Sequence, residues 1–181
     1  VDNKSGFDFR KELFSIYKYI LANKYYVMGV HDYFPIQLYR LVLKLGLDLK
    51  KFKWTLEFIK KYNPMLNSDC RLNMYNYSLA EYYFQKKRFD EALRYFHKIE
   101  LNHFILRVDL KNLMLKTYYE LDLFENAISL IDSYKHFLSN TEVLSDIEKR
   151  KCKYFILAVQ NMIKYKTSIK SVSKHQIKEY L

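Results

Sequence analysis

The sequence predicts an all-α protein made of stacked helical hairpins. The first reason is a spacing that occurs three times: an aromatic residue, a small one three later, an apolar one four further, and another apolar one three beyond. It reads Phe52, Thr55, Ile59, Tyr62, then Phe89, Ala92, Phe96, Ile99, then Phe124, Ala127, Ile131, Tyr134. The steps of 37 and 35 residues fall in the range of helical-hairpin repeats. The second reason is composition. With three Gly and two Pro in 181 residues, long loops, Gly-rich phosphate cradles and Asn-Gly hairpins have little to be built from. The third is helical apolar periodicity, interrupted only by short turns.

The elements follow in order. Residues 8–22 form a stripe of Leu13, Ile16, Tyr17, Ile20 and Leu21, with Asp8 or Ser5 placed to cap it. Asn23 to Phe34 is ambiguous, because Tyr25, Tyr26 and Val27 suit a strand while Gly29 and Asp32 weaken a helix; it is read as a continuation or turn. Pro35 fits the first turn of the next helix. Further helices are predicted over 36–46, 51–62, 69–86, 90–100, 105–120, 124–137 and 141–165. Ser68-Asp69 precede one start, Asp90-Glu91 favour another through the helix dipole, and Ser139, Asn140 and Thr141 precede the long helix. Pro64 closes the helix ending near Tyr62. Thr167 to Leu181 reads as polar and then helical again around Ile177 and Tyr180. A single domain over residues 1–181 is expected, since no linker or low-complexity stretch interrupts it. The start at Val1 and the end at Tyr180-Leu181 suggest a segment of a longer protein.

Composition excludes several classes. No stretch of 18 apolar residues lacks a charge, so no membrane span is expected, no signal peptide is visible, and the cytoplasm is the expected compartment. Cys70 and Cys152 are expected as reduced buried thiols. His31, His97, His103, His136 and His175 give no pair at ligand spacing. Neither a metal nor a cofactor is expected. The net charge of +11 sits mostly in residues 40–61 and 142–181, which contribute +5 each. The abundance of Lys, Asn, Ile, Tyr and Phe matches A/T-rich coding, so a solvated basic face is the favoured explanation.

Around each spacing lies a second one. Leu43, Ala80 and Leu115 stand nine residues before the lead aromatic, and Gly46, Tyr83 and Tyr118 six before. Each unit thus has a first helix, a short turn and a second helix with a small residue near its start. This resembles the tetratricopeptide repeat family over about residues 36–141. The central unit carries the resemblance best, with Leu79-Ala80, Tyr83, Phe89-Asp90-Glu91-Ala92, Phe96 and Ile99. The first unit departs from it, with Thr55 for the usual Ala and Gly46 for the usual Tyr. Tyr39, Asn76 and Lys111 stand where the family has Trp. The resemblance implies a short right-handed superhelix of units 36–64, 73–103 and 108–138, with flanking helices 8–22 and 141–181.

It further implies that a partner lies along the first helices, on Arg40 and Lys44, then Tyr77, Glu81 and Phe84, then Asn112, Lys116 and Tyr119. Such aromatic platforms with flanking charges suit an extended peptide or a partner helix. Glu81 has the wrong sign for a clamp on a terminal carboxylate. The expected function is a non-catalytic protein–protein interaction scaffold. The alternative is a nucleic-acid or anionic-surface binder using Lys149, Arg150, Lys151 and Lys153 beside Tyr154 and Phe155. Self-association through open end faces is a third reading. No enzyme is expected: the nucleophile, metal and phosphate-loop motifs are absent, His31-Asp32 lacks a supporting set, and Asp90-Glu91 reads as helix initiation.

Overall fold

The computed structural model describes residues 9–26, 33–100 and 104–179, with side chains except at 104–106 and 169–179. These residues form eight α-helices and no strand: α1 (Phe9–Ala22), α2 (Ile36–Asp48), α3 (Phe52–Tyr62), α4 (Ser68–Gln85), α5 (Phe89–Phe96), α6 (Phe104–Glu120), α7 (Phe124–Asn140) and α8 (Asp146–Glu179). A short 3-10 turn, Asn63–Met65, carries Pro64 and follows α3. Asp8, Ser5, Gly29 and the His31-Asp32 pair lie outside the described residues.

Three hairpins turn in the same way. Lys50, Lys87 and Asp122 take left-handed φ angles of 55°, 58° and 57°. Each stands two residues before Phe52, Phe89 or Phe124, so the turns are spaced by the same 37 and 35 residues. Lys50 N donates to Leu47 O, Lys87 N to Phe84 O and Asp122 N to Tyr119 O. The next amides close the outer bond, Lys51 N to Gly46 O, Arg88 N to Tyr83 O and Leu123 N to Tyr118 O, each at 2.9 Å. This is the Schellman pattern, which satisfies carbonyls that a helix end leaves bare. A similar pair, Lys24 N to Leu21 O and Tyr25 N to Ile20 O, ends α1. The second helix of each hairpin then starts at once, with Thr55, Ala92 and Ala127 amides bonded to the carbonyls of Lys51, Arg88 and Leu123.

Burial follows the spacing. Thr55, Ile59 and Tyr62, then Ala92, Phe96 and Ile99, then Ala127, Ile131 and Tyr134 are all buried, while each lead aromatic is half-buried. Every such large side chain contributes about 1.5–3 kcal/mol through the apolar area removed from water. A glycine marks one close approach. At Gly46 an added Cβ would lie 2.5 Å from Thr55 Oγ1, so in the first hairpin a glycine on α2 accommodates the threonine that stands where the other two have alanine.

The chain divides into two compact units, residues 1–100 and 101–181. In the first, α4 packs on its partner α5 and also against α2 and α3. An aromatic core of Tyr26, Phe34, Tyr39, Phe58 and Tyr62 fills it, and Phe14 of α1 meets the Trp54 ring edge-on at 4.6 Å. Buried Asn73 and Asn76 tie α4 to the chain after α5: Asn73 exchanges two hydrogen bonds with the Glu100 backbone, and Asn76 donates to Lys98 O. In the second unit α8 packs against both α6 and α7, burying Cys152, Ile156, Val159 and Ile163. Both cysteines are free, Cys152 buried and Cys70 only partly so.

Several expected boundaries are corrected. The helix expected over 90–100 ends at Phe96, because Lys98 and Ile99 amides bond back only three residues. Ser139 and Asn140 belong to α7 rather than to the start of the long helix. That helix starts at Asp146, where Ser145 and Glu148 form a capping box: Glu148 Oε2 accepts from the Ser145 amide at 2.8 Å and its hydroxyl at 2.7 Å, and Glu148 N donates to Ser145 Oγ. Its backbone then runs unbroken through Thr167 to Glu179. The fourth helix is capped by Asn67, whose side chain accepts from Asp69 N at 2.9 Å. Pro35 immediately precedes the first residue of α2.

Candidate functional site

Four of the eight residues expected to face a partner come together between α2 and α4. Tyr77 and Glu81 sit one turn apart on α4 and influence each other electrostatically, and the other charges felt by Glu81 are those of Lys44, Asp48 and Arg40 on α2. Burial pushes the Glu81 carboxyl up to about 7, with Asp48 adding to the rise and Lys44, the Tyr77 hydroxyl and Arg40 opposing it. Burial likewise raises the Tyr77 phenol, followed by the charge of Glu81. This face therefore combines accessible cations with a carboxyl half-neutral near pH 7.

The aromatic platforms expected on this face are largely used for packing. Tyr77 is 5 % exposed, so its ring has no free side for a partner. The Phe84 ring lies 5.4 Å from that of Phe89, in its own hairpin. In the second unit Asn112 accepts from the Tyr134 hydroxyl at 3.1 Å. Lys116 reaches over the Phe155 ring of α8. Tyr119 lies under the ammonium of Lys166, 4.6 Å from its ring centroid, while that ammonium also pairs with Asp122. For the three aromatic rings and the lysine stem the physical reason is the same. An aromatic ring or long aliphatic stem near a neighbouring helix gains more from burial than from water.

Comparison with known proteins finds no match. No protein-family model, no curated protein and no solved structure matches this chain. Its residues and geometry therefore carry any functional reading.

The basic run on α8 is split by the helix period. Arg150, Lys151, Lys153 and Tyr154 are exposed, Lys149 is half-buried, and Phe155 turns inward beneath Lys116. Among the described residues no cluster of His, Cys, Asp and Glu could hold a metal ion, and no helix is long and apolar enough to cross a membrane.

A second site was not anticipated from sequence. The positions where the resembled family has Trp are all interior: Tyr39 is 0 % exposed, Asn76 5 % and Lys111 7 %. Each makes a hydrogen bond to a neighbouring segment. Tyr39 Oη lies 3.1 Å from Ser78 Oγ; the latter already donates to Met74 O, which makes the tyrosine the donor. Asn76 bonds Lys98 O, and Lys111 Nζ donates 3.1 Å to Ser133 Oγ. A cleft of about 800 Å³ opens beside Lys111, lined also by Arg107, His136, Phe137, Asn140 and Glu142. The available sequence signal was a lysine at a position whose two counterparts point inward.

Proposed function

We propose that this chain is a non-catalytic interaction module of tetratricopeptide-like helical repeats, binding an extended peptide or helix of a protein partner on the α2/α4 face. The observation that supports this best is the recurrence of one hairpin at one spacing. A left-handed residue and the same pair of turn hydrogen bonds occur just before Phe52, Phe89 and Phe124, and a small residue follows each three positions later. A chain that reuses one supersecondary unit gains surface along its first helices rather than a single deep catalytic pocket. The contact groups on this face are Arg40, Lys44 and Glu81, beside the buried Tyr77.

The test uses charge reversal, because truncating the buried Tyr77 would report on folding. Arg40→Glu with Lys44→Glu should leave the circular dichroism spectrum unchanged and abolish co-purification of a protein partner from source-cell lysate. Nuclease treatment should make no difference. A partner retained equally by the variant removes binding from this face. Recovery of nucleic acid, lost on nuclease treatment and with Arg150→Gln/Lys153→Gln, would favour the basic face of α8 instead.

A further inference from the structure

The cleft beside Lys111 holds an electrostatic demand that the described residues leave unmet. Lys111 is 7 % exposed. Its ammonium has one hydrogen-bond partner among the described residues, the neutral Ser133 hydroxyl at 3.1 Å, and lies 5.7 Å from the Tyr134 ring centroid. The charge it feels most is that of Arg107, one turn earlier on the same helix. Burial and that like charge both hold the ammonium below the ordinary lysine range, with no carboxylate acting in the opposite direction. An ammonium drawn partly out of water with a single neutral side-chain partner is less stable than one in bulk water, and a matched anion with further hydrogen bonds offsets that cost.

The surroundings specify the anion. Arg107 packs its guanidinium over the Phe137 ring, 6.0 Å from the centroid, and lines the same cleft. Asn140 lies 3.2 Å from the His136 imidazole, so both present polar groups there. Two cations with neutral donors suit a dianion better than a monocarboxylate. Glu142, also on the wall, repels a second anionic group, which disfavours a polyphosphate or a nucleic-acid backbone. Phe137 and Val143 offer apolar wall for an organic body, and about 800 Å³ is room for a small molecule rather than a bare ion.

We propose that this cleft binds a phosphate monoester, its phosphate on Lys111 and Arg107 and its organic body along Phe137 and Val143. This site is independent of the α2/α4 face and stands whether or not that face binds a protein.

The test measures thermal melting and calorimetric titration of the full chain with phenyl phosphate, inorganic phosphate and benzoate at matched ionic strength. Phenyl phosphate should raise the melting temperature, inorganic phosphate less so, and benzoate little. Lys111→Met should melt higher than wild type without ligand and bind phenyl phosphate roughly tenfold to a hundredfold more weakly, the range expected for one charge-assisted hydrogen bond. Should that variant fail to fold, Ser133→Asp gives a second reading, since residue 133 is exposed. Its carboxylate would supply the missing counter-charge internally, raising the melting temperature and abolishing the phenyl phosphate response. An unresponsive wild type, an equal response in Ser133→Asp or Lys111→Met, or equal protection by inorganic phosphate would each overturn the proposal. So would loss of the response in Arg150→Gln/Lys153→Gln, which would move binding to the exposed face of α8.

Discussion

Single residues carry more strain in this protein than its composition suggests. Helices usually end on a left-handed glycine, because a Cβ there crowds the following carbonyl. Here Lys24, Lys50, Lys87 and Asp122 occupy those positions; all are exposed, and the Asp122 side chain pairs with Lys166. Lys87→Gly is therefore expected to raise stability by up to about 1 kcal/mol, and Lys87→Ile to lower it, because a β-branched side chain tolerates this region worst. Denaturant unfolding of the three proteins checks the order. Glu81 makes a prediction of the opposite kind. Its carboxyl is raised to about 7 in the folded chain, above its unfolded value, so the folded state binds the extra proton between the two. Its contribution is fully present below the unfolded pKa, near 4.3, and is lost as pH rises through about 7. Glu81→Gln should flatten that slope and stabilise the chain above pH 7 by roughly 1–3 kcal/mol. Melting curves across this window would show it, and parallel slopes for the two proteins would remove Glu81 as the cause.

At the scale of elements, each hairpin depends on a close approach near its turn, and the first hairpin achieves it differently. In the second and third, Ala92 and Ala127 are fully buried at the second helix start; in the first, Thr55 is fully buried there and Gly46 leaves room for it. Thr55 cannot swing away freely, because its hydroxyl is bonded to Lys51 O at 3.0 Å and its Cβ is branched. Gly46→Ala should therefore destabilise by about 1–3 kcal/mol through overpacking, even though alanine is the better helix former. Adding Thr55→Ala should recover much of that loss. A double-mutant cycle measures the coupling, and strictly additive effects would show that the two residues do not share one space. The spacing alone made Gly46 and Thr55 look like two separate departures from the repeat. Only their facing positions show that one compensates the other.

For the whole molecule the relevant quantity is charge. At +11 with a pI near 9.4, like charges accumulate on α8 and on residues 40–61. Self-repulsion of this kind opposes compaction and is screened by salt. Raising sodium chloride from low ionic strength to about 0.5 M, where the screening length falls to a few ångströms, should raise the melting temperature. A fall would mean that specific pairs such as Lys166 with Asp122 outweigh the net repulsion. The chain divides into its two compact units after residue 100, and neither Gly nor Pro marks that place in the sequence.

What the sequence by itself determined is periodic and local. The helical class, the order of the helices, the buried side of each hairpin's second helix and the scarcity of loops all follow from apolar spacing and from the near absence of Gly and Pro. Even the start of α8 was legible, since Ser145-Asp146-Ile147-Glu148 is a capping box by its letters; the earlier Ser139-Asn140-Thr141 simply offered a competing signal. The tertiary structure alone decided the sites. Whether Tyr77 is a platform or core, whether Tyr119 lies open or under Lys166, and whether Lys111 is a surface charge or a buried one depend on which helix stands opposite. A helix face has the same sequence whether it meets water or a neighbour, and the chemistry of its side chains is set by that choice.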